Sequence, residues 1–416
     1  MKQLMNWRYA SAWRLSWRAA LGGLWAACAV QAVHADDTDP GQADWVDQVQ
    51  VHGFATQGFV HTTDNRFFGD SDNGSFEFTE LGINLSYRAT PSLTLSGQLL
   101  SRRAGDMYNG SPVVDFALLD WNISNTAELS YGVMLGRLKN TLGLYNDTRD
   151  VAFTRPSIFL PQQIYFDTVR NLVLSADGAQ LYARNSTDAG NWSFNLGAGT
   201  NPVDKNVEIS YLGADFNGSL DSEGVSLIAR TEFETHDGAW RAALSAAKAT
   251  LDFSAGAGDP IGSGEIDFLY WIASLQYNAE RWSLTAEYME EPVEFDRFGP
   301  LLDQRDSTVQ GYYLQGSYLL RSNVELVARY SEGFGDKDDR DGTKQSALSG
   351  GLAPPHSFYQ KDLMLGVRWD VTPNLMLRAE HQWTQGTWTL SRRENPLPAA
   401  HDKDWNMFSL LASYRF

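Results

Sequence analysis

The stretch 139–174 carries charged side chains of both signs in close succession: Lys139, Asp147, Arg149, Asp150, Arg155, Asp167 and Arg170, with Arg137 just before it and Tyr145 among them. Fixed charges of opposite sign facing each other across an aqueous path set up a transverse field, which orients dipolar solutes and biases ions by sign. A second charged set stands in segments where apolar and polar residues alternate: Glu80, Arg184, Arg230, Arg241, Arg329, Arg368 and Arg378, with Glu232, Glu287, Glu325 and Glu380 beside them. Neither sign dominates, so a mixed-charge lining is expected and not a ring of one sign. For each residue taken singly, a solvated side chain paired with its neighbour explains the sequence as well as a role in selectivity.

Covalent and acid–base catalysis need a nucleophile set beside a base. His52, His61, His236, His356, His381 and His401 are scattered over separate segments, and none stands in a recognisable nucleophile setting, so no enzyme is expected. The single cysteine, Cys28, lies near the N-terminus in a segment that reads as removable, which leaves no disulfide framework and no thiolate metal site. In Asp336-Lys337-Asp338-Asp339-Arg340-Asp341-Gly342 a lysine takes the first ligand position of a calcium loop and no glutamate falls at the last. No cofactor or metal is expected. A net charge of −18 argues against nucleic acid as a partner.

The elements that must carry these charges are strands. Leu81, Ile83, Leu85 and Tyr87 alternate with polar or small neighbours, as do Trp192, Phe194 and Leu196; Trp282, Leu284, Ala286 and Tyr288; and Leu363, Leu365, Val367 and Trp369. Period-two alternation of this kind gives each strand one apolar and one wet face. Such segments recur about sixteen times up to the last residue, Phe416, with the parity broken between Val113 and Ile123. There Asp115 and Asp120 cannot share one face without a bulge.

The connections fall into two kinds. Tight turns such as Thr90-Pro91-Ser92, His236-Asp237-Gly238 and Thr372-Pro373-Asn374 follow even strands, and long polar stretches such as 62–75, 201–224 and 387–403 follow odd ones. Short turns on one rim and long loops on the other are the pattern of a membrane-spanning barrel. Tyr87, Trp121, Trp192, Trp240, Tyr277, Trp282, Tyr318 and Trp369 all fall near the short turns, as expected of rings placed at a bilayer interface. Residues 1–35 read as a secretory signal peptide, with Lys2, Arg8, Arg14 and Arg18 ahead of an apolar run and small residues before Asp36. Residues 36–416 then form one all-β domain, a transmembrane antiparallel β-barrel.

The stretch after the fifth strand is far longer than a hairpin loop and is rich in Leu142, Leu144, Phe153, Ile158, Phe159, Tyr165 and Phe166. So many apolar groups must pack, either inside the barrel or as a folded external lid. The strand order, the terminal Phe416, and the long stretch between Gly136-Arg137 and Asp177-Gly178 resemble the Gram-negative outer-membrane porins, general or specific. The loop motif Asn146-Asp147-Thr148-Arg149-Asp150 departs from the family's Pro-Glu-Phe-Gly-Gly type. The resemblance implies passive diffusion of small hydrophilic solutes and ions through a water-filled pore in the outer membrane. It implies that 139–174 folds inward as the constriction, that Glu80 and the arginines above line the wall, and that the chain is a homotrimer in contact with lipid and lipopolysaccharide. A substrate-specific channel and a structural or adhesive barrel are the alternative readings.

Overall fold

A computed structural model describes residues 48–416 apart from 301 and 304, so the expected export segment 1–35 lies outside the described residues. The first eight strands are β1 (Val49–Thr62), β2 (Ser75–Thr90), β3 (Leu93–Ala104), β4 (Tyr108–Asn125), β5 (Leu129–Lys139), β6 (Ser175–Thr187), β7 (Gly190–Thr200) and β8 (Ser219–Glu234). The remaining eight are β9 (Trp240–Ser254), β10 (Gly264–Asn278), β11 (Trp282–Asp296), β12 (Ser307–Arg321), β13 (Val324–Phe334), β14 (Tyr359–Asp370), β15 (Leu375–Gly386) and β16 (Asp404–Arg415). Each pairs with its neighbours in sequence order, and β16 returns to β1 in antiparallel register from Phe54 opposite Arg415 to Thr62 opposite Met407. The result is the expected closed sixteen-stranded antiparallel barrel.

Beyond the last paired residues the seam is held by Gly53 N donating to Phe416 O (3.1 Å) and Phe416 N donating to Gly53 O (3.0 Å). The ring of Phe416 lies over Gly53, where an added Cβ would stand 2.4 Å from it. The terminal aromatic is therefore packed into the closure.

The wall is inverted relative to a water-soluble protein. On β2, Leu81, Ile83 and Leu85 are exposed while Glu80 is fully buried. On β14, Leu363, Leu365 and Trp369 face out while Gln360 and Asp362 are buried. In lipid an apolar outer face costs nothing, whereas each inward polar group must find a partner. Three of the aromatics near the short turns touch in sequence along that rim, with Trp240 and Tyr277 rings at 4.7 Å and Tyr277 and Trp282 at 5.2 Å.

The expected bulge is present: the β3–β4 register shifts between Gln98 and Leu99. Asp115 is thereby turned to the buried side, where it accepts from Gln98 Nε2 at 2.7 Å. Lower on β4, Asp120 accepts from Tyr182 Oη at 2.9 Å. One connection departs from the two-rim rule. On the long-loop rim β3 and β4 are joined by residues 105–107 alone. Gly105 (φ +50°) turns the chain there, and an added Cβ would fall 1.7 Å from Glu394 Oε1. Glu394 accepts backbone N–H from Phe68 (3.0 Å), Gly69 (2.6 Å) and Asp106 (3.3 Å), tying the last long loop to the first and to this turn. Asn395 and Arg66 exchange bonds of 3.0 and 2.8 Å across the same contact.

Replacing Phe416 by Ala should lower several-fold the fraction of chain that migrates as a compact heat-modifiable band in unheated gels. An unchanged fraction would exclude a role for the ring in closing the seam. The Glu394 contact should depend on pH. Burial pushes its carboxyl up to about 7, against three N–H bonds that pull it down. A folded-state value above the ordinary 4.5 means that the contact is strongest below pH 4.5 and weakens as pH rises towards 7. Protease cleavage within 62–75 should therefore increase over that interval, and Glu394→Gln should remove the dependence.

Candidate functional site

Residues 140–174 run between β5 and β6 as short turns, ending in a helical turn at Arg170–Leu174. The base is clasped by Asn140 N donating to Leu174 O (2.9 Å) and by Asn146 Nδ2 donating to Asn140 O (2.9 Å) and Val173 O (2.8 Å). Pro161 stiffens the middle, its carbonyl accepting from Tyr165 N at 2.9 Å.

From this base the segment bonds to widely separated strands, on the face opposite the exposed apolar one. Glu287 on β11 accepts from Leu144 N (2.9 Å), Tyr165 Oη (2.6 Å), Tyr313 Oη (2.8 Å) and Ser274 Oγ (2.6 Å). Ser245 on β9 accepts from Gly143 N at 2.8 Å. Glu380 on β15 accepts from Ile158 N at 2.6 Å, and Arg329 on β13 donates to Ser157 Oγ at 2.6 Å. Apolar contacts complete the hold. Phe153, Ile158 and Phe159 pack with Phe67, Phe68, Phe78 and Trp405, and Leu142, Leu160, Ile164 and Tyr165 pack with Ile272, Met289 and Tyr313.

Six of the eight charged residues singled out in and just before the segment, together with Glu80 of the wall, meet in one buried chain. Arg155 pairs with Glu80 (2.9 Å), Glu80 with Arg102 (3.2 Å), and Arg102 with Asp167 (3.1 Å). Asp167 in turn pairs with Arg149 (3.2 Å) and, more distantly, with Arg170 (3.8 Å). Arg170 contacts Asp150, Asp150 contacts Lys139, and Lys139 contacts Asp115. Five cations and four carboxylates thus alternate, with side chains between 0 and 13 % exposed. Arg102 was missed by sequence reasoning, although its alternation with Leu100 and Gln98 on β3 marks it as inward-facing.

A second group borders open space, although Arg230 within it is only 6 % exposed. Asp147 is 30 % exposed and lies 4.0 Å from Arg230, which contacts Glu232. Glu232 also accepts from Arg241 Nε at 2.8 Å. Together with Arg184 and Lys139 these residues line a cavity of about 330 Å³.

The others are placed differently. Arg378 donates to Arg155 O, and Arg368 pairs with Asp370 at 2.9 Å, so both act on the segment backbone or on a neighbour. Tyr145 is buried, edge-on to Tyr165 with ring centroids 6.0 Å apart. Arg137 does not join the set. It forms a two-bond pair with Asp177 (2.7 Å each) across β5–β6, on the side where Leu135 and Leu181 are exposed. Near the end of a strand, parity counted from sequence does not reveal which face the residue takes.

The closed wall with its polar inner face has the architecture of a sixteen-stranded outer-membrane porin. Among solved structures the chain is similar to OmpF of Salmonella typhi, in complex with Daunomycin, at 15 % identity and a TM-score of 0.54, covering 88 % of this chain and 97 % of that one. It is also similar to OmpT, an outer membrane protein of Vibrio cholerae in trimer form, at 14 % identity and a TM-score of 0.51, covering 88 % and 99 %. OprB of Pseudomonas putida is a third, at 12 % identity and a TM-score of 0.50, covering 89 % and 95 %. At these identities the likeness is one of fold. No protein-family model matches the chain, and no curated protein matches it.

Asp167 sits between Arg102, Arg149 and Arg170, so Asp167→Asn leaves three guanidinium groups without their shared carboxylate. Losing one member of a buried ion pair typically costs about 3–5 kcal/mol. The variant should show new protease cleavage inside 140–174 and a noisier open-channel current than wild type, while Arg137→Gln should show neither.

Proposed function

We propose that the chain is an outer-membrane channel through which small hydrophilic solutes and ions diffuse passively. Residues 139–174 narrow its lumen. The observation that carries this reading is the division of the charged residues into a locked set and an open set. The chain from Arg155 to Asp115 fastens the segment to the wall and has little surface left to meet a solute. Asp147, by contrast, presents a carboxylate to Arg184, Arg230 and Arg241 across open space. Opposed charges on the two sides of an aqueous gap give the transverse field expected of a selective constriction. No step of this transport requires a nucleophile, a metal or a cofactor. Export through a signal peptide at 1–35, contact of the outer apolar face with lipid and lipopolysaccharide, and assembly as a homotrimer belong to the same reading.

Reconstitution of the folded full-length protein in planar bilayers tests it. Stepwise conductance is expected, and a barrel that folds yet never conducts would overturn the proposal. In a salt gradient, Asp147→Asn should move the reversal potential towards anion preference, and Arg184→Gln combined with Arg241→Gln should move it the opposite way. Equal potentials in all three proteins would remove these residues from the constriction.

A further inference from the structure

On the long-loop side of the 139–174 segment lies a larger cavity, of about 550 Å³. That is within the usual range for small-molecule sites, roughly 300–1,000 Å³. It is bounded by the segment, by the helix Lys205–Leu212, by β11, and by the loops 335–358 and 387–403. One side is apolar and aromatic. Phe166 of the segment and Trp388 of the last loop meet edge to face at 5.2 Å, beside Leu212 and Leu390.

The other side carries Arg305 and Arg392. Neither forms a salt bridge among the described residues, and the guanidinium of Arg305 has no hydrogen-bond partner there. Arg392 donates only to Gly213 O, at 3.1 Å. The nearby acids are otherwise engaged. Glu291 accepts from Tyr211 Oη at 2.7 Å, Asp306 from Phe295 N at 2.9 Å, and Asp336 from Asp338 N at 3.1 Å. Burial and the charge of Arg305 both hold Arg392 below the usual arginine range. Arg305 and Arg392 thus border the same cavity with no carboxylate in ion-pair range of either among the described residues, although Glu291, Asp306 and Asp336 also line it. Partly buried like charges are costly unless something neutralises them. A guanidinium takes a carboxylate through two parallel N–H bonds, and aromatic rings favour a flat apolar body set edge-on or offset.

We propose that this vestibule binds an amphipathic organic anion. A carboxylate sits on Arg305 and Arg392, and an aromatic body sits against Phe166 and Trp388. The inference rests on the channel reading, and it makes the pore selective for a solute class by capture above the constriction, before the field at Asp147 acts. Lys344 and Arg393 at the same cavity are turned to Asp338 O (3.0 Å) and Asn206 Oδ1 (3.3 Å), so they add charge but no free donor fork.

The test is calorimetric binding to the detergent-folded full-length protein, with phenylacetate as probe and with acetate and the neutral phenylacetamide as controls. Phenylacetate should bind about tenfold more tightly than either control, each tenfold step being about 1.4 kcal/mol. Arg305→Gln with Arg392→Gln should remove about tenfold of the phenylacetate affinity and leave phenylacetamide unchanged. Trp388→Ala should weaken phenylacetate and leave acetate unchanged. Should the double Gln variant fail to give the heat-modifiable band, Arg305→Lys with Arg392→Lys replaces it. That variant keeps the charge but not the two-bond fork, and should still lose several-fold. Equal binding of phenylacetate and phenylacetamide, or wild-type affinity in the double variant, overturns the proposal. Binding without conductance in bilayers would remove the channel reading and leave the site. Conductance without phenylacetate binding would remove the site and leave the channel.

Discussion

Hydrocarbon offers no partner for a backbone N–H or C=O, so a chain that crosses it with strands must pair every one of them within itself. That requirement is met here by closing β16 on β1, with Phe416 and Gly53 exchanging backbone bonds at the join. Once the sheet is closed, one face of each strand lies outside and the other lines an interior. The outer faces hold Leu81, Leu244, Leu284 and Leu365 in the exposed position. The inner faces therefore inherit the polar half of the alternation, and everything in the lumen follows from that.

A polar interior next to a packed segment creates an electrostatic problem. Charges removed from water are stabilised only by opposite charges and hydrogen bonds at short range. The alternating run from Arg155 through Glu80, Arg102, Asp167, Arg170, Asp150 and Lys139 to Asp115 meets that condition, since Glu80, Asp167 and Asp150 each have cations on two sides and Asp115 has Lys139 and the Gln98 amide. Glu287 has no cation partner among the described residues and is held by four neutral donors converging from the segment and from β10 and β12. Both devices turn inward-facing wall residues into fasteners, and the segment gains its position from strands that lie far apart in sequence.

The same logic separates enclosed charges from open ones. Enclosed groups hold shape, and the others keep contact with water. Asp147, Arg184 and Arg241 are on the wet side of that boundary, as are Arg305 and Arg392 in the loop-side cavity. The loop 387–403 at the cavity is itself joined to the first long loop by short bonds, including Asn65 Nδ2 to Asp402 O at 2.7 Å. Their geometry is thus set by side chains reaching main-chain groups, with pH sensitivity entering through Glu394.

The barrel was legible because its signal is local. Period-two alternation, short and long connections, and rim aromatics can all be read within a few residues, and even the bulge at Asp115 showed as a break of parity. The three-residue connection at 105–107 was not readable in the same way, because what permits it is Glu394, far along the chain. Lys139, Asp150, Asp167 and Arg170 could be picked out by charge and spacing, but not their partners. Glu80 lies 75 residues from Arg155, and Glu287 lies 122 from Tyr165. Arg137 looked like a member of the set and faces the other way, since a single residue of parity decides the side of a sheet. The amino-acid order by itself determined a barrel of about sixteen strands with alternating faces and an apolar outer side, because those depend on neighbours one or two positions apart. Only the tertiary structure decided which charges are spent on holding the segment and which remain open to water, because that depends on distances across the barrel interior between strands remote in sequence.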